Sequence, residues 1–185
     1  MPQDREDLHI IDRILAGEQA LYAGLVNSYK HYVLTITSKI LNSRQDAEEA
    51  AQDAFVKAYH HLKDFNRQAK FSTWLYRIAF NTAISYKRKE KFFHSIENTP
   101  VPYDQDSHRM MEKDDRKKYI NRAIQKLKDN DRLVITLFYL KEFSLEEIAG
   151  ITGIPQNTVK IRIHRARLKL ATELKRMLEK EALTL

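Results

Sequence analysis

The sequence predicts an all-α fold: two small helical domains joined by a flexible linker, the C-terminal one containing a helix-turn-helix. Three observations carry this. Only four Gly and four Pro occur in 185 residues, so long stretches lack the residues that break helices and shape sandwiches or barrels. Apolar residues recur at three- and four-residue spacing in two separate blocks. Between the blocks, from about Glu90 to Asp115, that periodicity dissolves among Pro100, Pro102, Asn98, Ser107 and the acids Glu97, Asp104 and Asp106. The expected division is therefore 1–89, a linker at 90–115, and 116–185.

The first block opens with Leu8, Ile11, Ile14 and Leu15, and Leu21, Leu25, Tyr29, Tyr32, Val33 and Ile36 continue the pattern. Asn42-Ser43 interrupts it. Ser43 followed three residues later by Asp46 resembles a capping box and starts a new helix. On that helix Ala47, Ala50, Ala51, Ala54, Phe55, Ala58 and Leu62 share one face, while Glu48, Glu49, Gln52 and Asp53 lie mostly off it. Small residues permit close helix packing, and the other side is left acidic. The chain turns at Asp64-Phe65-Asn66. A further helix is expected from about Phe71 to Lys89, ending in the cations Lys87-Arg88-Lys89, which suit a helix C-terminus.

The second block resumes at Tyr119 with Ile120, Ala123, Ile124 and Leu127, breaks at Asp129-Asn130-Asp131, and continues with Leu133, Val134, Leu137, Phe138 and Leu140. The stretch Phe143–Leu170, FSLEEIAGITGIPQNTVKIRIHRARLKL, carries the sharpest local pattern. Ser144 and Glu147 form an S-x-x-E capping box, Gly150 to Gly153 reads as a tight turn, and Pro155 is expected at the first position of a second helix. This is a helix-turn-helix signature. Val159, Ile163, Ala166 and Leu170 form its buried stripe. Gln156, Asn157 and Thr158 occupy the N-terminal turn, the part of a recognition helix that meets base edges. Lys160, Arg162, Arg165, Arg167 and Lys169 crowd the flanks, and no acid lies between Pro155 and Leu170. In a chain with 25 acids a merely solvated helix would interleave signs, so this run points to DNA phosphate.

Composition narrows the rest. Hydrophobic content of 43% is enough to build cores, and a net charge of +7 suits a polyanionic partner. The absence of cysteine excludes disulfides, thiolate nucleophiles and cysteine-bound metal centres. Seven histidines occur, but none in an H-E-x-x-H pattern, and His60-His61 point apart on a helix; no catalytic group, metal or cofactor is expected. The N-terminal MPQDREDLHIIDRI carries acids where a secretory signal is basic, and no segment approaches the roughly 20 apolar residues of a membrane span, so a cytoplasmic protein without membrane insertion is expected.

Taken together, DAEEAAQDAFVKAYHHLKDF (Asp46–Phe65), FSTWLYRIAFNTAISYKRK (Phe71–Lys89) and IPQNTVKIRIHRARLKL (Ile154–Leu170) resemble the extracytoplasmic-function (ECF) sigma factors, the minimal two-domain members of the bacterial sigma family. The resemblance implies core RNA polymerase, promoter DNA and an anti-sigma factor as partners. It implies that Asp46, Glu49, Gln52, Asp53 and Phe55 dock on the polymerase, on the coiled coil of the beta-prime clamp, with the beta subunit also in contact. The segment Asp64–Lys89 matches the part that melts and reads the minus-ten element; Phe65, Lys70, Phe71, Trp74, Tyr76, Arg77, Asn81, Lys87 and Arg88 supply the aromatic platforms, polar groups and cations that unpaired strands need. Trp74, Leu75 and Ile78 fit a core equally well. The helix-turn-helix matches the reader of the minus-thirty-five element, through Gln156, Asn157, Thr158, Lys160, Ile161, Arg162, Arg165 and Arg167.

Two departures stand out. The family often has Gly-Thr-Val-Lys-Ser where this chain has Asn157-Thr158-Val159-Lys160-Ile161, and Ile161 lies opposite the buried stripe, placed to meet a thymine methyl. The family's Asp-x-x-Arg is here Ser85-Tyr86-Lys87-Arg88, without the acid. An alternative, a free-standing helix-turn-helix regulator of duplex operators, accounts for Phe143–Leu170 but leaves the aromatic and basic segment Phe71–Lys89 without a role.

Overall fold

The computed structural model describes the backbone of residues 2–97, 115–140 and 143–182, and the side chains of 4–90, 119–139 and 143–179. Every regular element among these is helical. The chain divides into two compact units.

The first unit holds α1 (Pro2–Leu15), α2 (Tyr22–Ile40), α3 (Arg44–His60) and α4 (Phe71–Glu97), with 3₁₀ turns at Gln19–Leu21 and Leu62–Asp64. α2, α3 and α4 pack on one another in all three pairings. Ala47, Ala50, Ala54 and Ala58, at most 1% exposed, form the small-residue face of α3 that permits this approach. Facing them are Leu25, Val33 and Ile36 of α2 and Leu75, Ala79 and Ala83 of α4, all buried. Ile11 and Ile14 anchor α1, while Leu15, in register with them on the sequence, is half exposed at the end of the helix.

Local chemistry sets the boundaries. The Ser43 hydroxyl accepts from the Asp46 N–H at 3.2 Å, capping α3 where Asn42-Ser43 interrupts the pattern. Just past the end of α1, Gly17 has a φ of +114°, a conformation that favours glycine. Asp7 is buried and accepts a hydrogen bond from the Tyr29 hydroxyl, so its carboxylate ties α1 to α2. Lys87 donates to the Ile40 carbonyl at 2.8 Å, satisfying a C-terminal carbonyl of α2 from α4.

α4 corrects the sequence expectation. It does not stop at Lys89 but continues to Glu97, so residues 90–97 of the expected linker are helical. No Gly or Pro lies between 90 and 97 to end the helix, and the charged residues there are competent helix formers. Lys87, Arg88 and Lys89 are therefore inside the helix and do not form its C-terminus. The remaining linker positions, Asn98 to Asp114, lie outside the described residues.

The second unit holds α5 (Asp115–Gln125), α6 (Asp129–Leu140), α8 (Gln156–Ala182) and the start of α7 (Leu145–Thr152). α5 and α6 both pack on α8, and Ile124, Leu127, Ile135 and Ala166 form a cluster against which Leu170 rests. Arg132 donates to the Gln125 and Leu127 carbonyls at 3.0 and 3.2 Å, closing the end of α5.

Candidate nucleic-acid and polymerase interfaces

Three surfaces carry the residues singled out by sequence. The helix-turn-helix is the most defined. The Ser144 hydroxyl accepts from the Glu147 N–H at 3.1 Å and the Glu147 carboxylate accepts from the Ser144 N–H at 2.9 Å, the complete capping box. The turn is narrower than expected: Gly150 is inside α7, and Gly153 alone, at φ +70°, reverses the chain, its N–H donating to the Ala149 carbonyl at 2.8 Å. Pro155 accepts the first intrahelical bond of α8, from the Val159 N–H at 3.0 Å, and so caps the helix rather than opening it.

On α8, Val159, Ile163 and Ala166 are buried. The opposite face presents Asn157, Ile161, His164, Arg165 and Leu168, all exposed; Gln156, Lys160 and Arg167 are exposed on one flank. Ile161 is 51% exposed, an apolar side chain in the position where a methyl contact with a base is possible. His164, passed over on the sequence, belongs to this face by its 100° steps from Ile161 and Arg165. Thr158, Arg162 and Lys169 run along the other flank, and Arg165 lies where that flank meets the exposed face. Arg162 also pairs within the unit: its guanidinium lies 3.4 Å from the Asp131 carboxylate of α6, and Lys169 lies 3.5 Å from the same group.

The second surface is the outer side of α4. Arg77, Asn81 and Arg88 are exposed and follow one stripe, since steps of four and seven residues nearly close whole helical turns. The stripe covers about 17 Å at 1.5 Å per residue. Lys70, also exposed, precedes it and closes the first turn of α4 through its carbonyl, which accepts from Trp74. Lys87 lies away from the stripe, held by Ile40.

The aromatic platforms are another correction. Phe65, Phe71 and Tyr76 are 7%, 2% and 2% exposed. Phe71 meets Tyr29 edge-on at 5.6 Å and Phe65 at 5.8 Å, and Tyr76 meets Tyr29 at 5.9 Å. Rings spent on one another as core offer no free face to a base. Burial also holds the Tyr76 phenol well above its usual pKa, as it does that of Tyr29. Trp74 is half-buried against Phe65 and Phe71, at 5.3 and 5.8 Å, and alone of the four keeps exposed surface.

The third surface is α3, where the five expected docking residues split. Glu49 and Gln52 are exposed on an outward ridge that Val56, 54% exposed, continues. Asp46 and Asp53 are half-buried, and the Tyr86 hydroxyl of α4 lies 2.8 Å from Asp53 and 3.1 Å from Glu49. Burial and these two carboxylates raise the pKa of the Tyr86 phenol. Tyr86 stands in the segment where the family pattern has an acid, and that departure was the available signal for it. Phe55 lies on the opposite side, in an apolar groove of about 730 Å³ lined also by Tyr22, Val26, Val56 and Tyr59. There the Tyr22 hydroxyl donates to the Phe55 carbonyl at 2.7 Å. The α3 residues therefore present two faces, one acidic and one apolar.

Among the described residues no group of three or more His, Asp or Glu is placed to hold a metal ion, and no helix is long and apolar enough to cross a membrane.

The fold and these surfaces define a two-unit helical protein with a helix-turn-helix in its second unit. Residues 25–93 match the family model for sigma-70 region 2, and residues 117–170 that for sigma-70 region 4. The chain is 36% identical to the ECF RNA polymerase sigma factor SigW of Bacillus subtilis, over 89% of this chain and 95% of that protein. It is 32% identical to the ECF RNA polymerase sigma-E factor of Escherichia coli K12, over 90% and 93%. It is 30% identical to the RNA polymerase sigma-H factor of Pseudomonas aeruginosa, with the same coverage. The solved structure of RpoE from Bartonella quintana in complex with the anti-sigma factor NepR superposes with a TM-score of 0.67 at 22% identity, over 83% of this chain and 96% of that one. CnrH in complex with the cytosolic domain of CnrY gives 0.65 at 24%, over 90% and 95%. The chain belongs to the sigma-70 family and is an RNA polymerase sigma factor of the ECF type, acting in promoter recognition at transcription initiation. The matched region at 25–93 gives the first unit the role that a free-standing helix-turn-helix regulator left empty.

Proposed function

We propose that this chain divides promoter recognition between its two units while the outer side of α3 holds it to the core polymerase. Glu49, Gln52 and Asp53, with Asp46 beside them, dock on the coiled coil of the beta-prime clamp. Phe55 contributes from the apolar side, and the beta subunit contacts the chain elsewhere. Arg77, Asn81 and Arg88, with Lys70, follow the opened minus-ten strand; Trp74 is the remaining aromatic with surface to offer a base. Gln156, Asn157, Thr158, Lys160, Ile161, Arg165 and Arg167 meet the minus-thirty-five duplex. The three segments work as residues 1–89, 90–115 and 116–185, with α4 carrying helix into the middle one. The chain acts in the cytoplasm by binding alone, without a catalytic step or cofactor, and an anti-sigma factor restrains it.

The observation that supports this reading is the opposite character of two exposed helix faces. α3 shows acids and an exposed valine, suited to a protein partner. α8 shows cations and short polar side chains around its first turns, suited to phosphates and base edges. The test is transcription reconstituted from purified core polymerase, this chain and a promoter library. We expect one promoter class to be transcribed only when the chain is added. Equal output without it, or tight dimeric binding of duplex operators with no polymerase, would contradict the reading.

A further inference from the structure

The pairing of Arg162 and Lys169 with one carboxylate has a consequence for DNA affinity. Asp131 lies in the first turn of α6, and its side chain is 12% exposed. Thr158, Arg162, Arg165 and Lys169 follow one flank of α8, at i, i+4, i+7 and i+11, the line along which a recognition helix tracks a phosphate strand. Asp131 takes the second and fourth members of that line, at 3.4 and 3.5 Å. Its carboxylate therefore lies against two cations of that line.

The Arg162 contact is not a closed fork. One terminal nitrogen makes it, at a long distance, while the Arg162 Nε is buried and has no hydrogen-bond partner. A bidentate pair would be shorter and would use two parallel N–H groups. Lys169 remains 51% exposed at its end of the contact. Both contacts are long, at 3.4 and 3.5 Å.

We propose that Asp131 is a built-in phosphate competitor: it neutralises two of the five cations of the recognition run, lowering the affinity of the free chain for duplex DNA and leaving Lys160, Arg165 and Arg167 as the phosphate contacts. The inference rests on α8 meeting duplex DNA. Its physical effect is restraint on unproductive binding, because the sequence-independent part of DNA affinity scales with the phosphates neutralised.

The experiment uses the full chain, without polymerase, on a short duplex over a range of salt concentrations, reading the slope of log affinity against log salt. Asp131→Asn keeps the size and a polar acceptor but removes the charge. It is expected to bind more tightly and to steepen the slope by about 0.9 for each cation recruited, so by one to two units. Lys169→Gln in the wild-type background is expected to leave the slope unchanged, whereas in the Asp131→Asn background it should remove one unit of the gain. A merely structural Asp131 would give weaker binding with no steepening, and that result overturns the proposal. So does loss of about one unit of slope from Lys169→Gln alone, an arm that stands even if Asp131→Asn fails to fold. Absence of duplex binding by every variant would instead overturn the DNA-contact reading of α8, which separates the two failures.

Discussion

Phe71→Ala is expected to cost about 3–5 kcal/mol of stability, the usual range for emptying a buried phenylalanine site. The side chain is 2% exposed and touches Tyr29, Phe65 and Trp74, so truncation opens a cavity where α2, α4 and the turn before α4 meet. A domain of this size has only about 5–15 kcal/mol in total. The melting temperature of the first unit should fall by on the order of 20 °C, given roughly 4–8 °C per kcal/mol. Calorimetry or circular dichroism of the full chain measures it. A melt within a few degrees of wild type, coupled to a specific loss of promoter opening, would return Phe71 to the role of base platform and contradict its place in the core.

Asp53→Lys is expected to weaken binding to core polymerase by at least about tenfold, near 1.4 kcal/mol, while the isolated chain keeps its helical signal. Losing one partner of a hydrogen-bonded, partly buried charge contact typically costs about 2–5 kcal/mol. Asp53 is half-exposed, and screening reduces that figure. The fold should tolerate the change because Asp53 lies off the alanine face that packs α3, and only the Tyr86 hydroxyl contact is lost inside the unit. Titration of the polymerase with labelled chain reads the affinity, and unchanged binding would remove α3 from the interface.

Helix positions were legible because the apolar spacing is regular and the caps are local: Ser43 and Ser144 each act within three residues of themselves. What stayed hidden depends on distance along the chain or on side chains with two uses. Phe71 and Tyr76 carry the same chemistry whether they stack on bases or on other rings, and the choice lies in Tyr29, more than 30 residues away. Asp53 and Phe55 are two residues apart and look like one docking patch, yet a helix turns about 200° between them. The pairing of Arg162 with Asp131 was hidden because Asp131 stands 31 positions upstream, in a segment that read as a break. The end of α4 was missed for a simpler reason: residues 90–97 have weak apolar periodicity, while helix continuation requires only that nothing break it.

The division of DNA reading is tested most directly by comparing Arg165→Ala and Asn81→Ala, each with core polymerase, on fully duplex and on pre-opened promoters. Arg165 is exposed on α8, and its loss removes one phosphate contact, so upstream binding should weaken across sequences, the salt slope should flatten by about one unit, and a bubble should give no rescue. Asn81 is exposed on the α4 stripe; its loss should spare upstream binding and cost roughly 1–3 kcal/mol of discrimination among minus-ten sequences, even on the bubble. Wild-type behaviour of Asn81→Ala on every template, or failure of Arg165→Ala only at strand opening, would contradict the account.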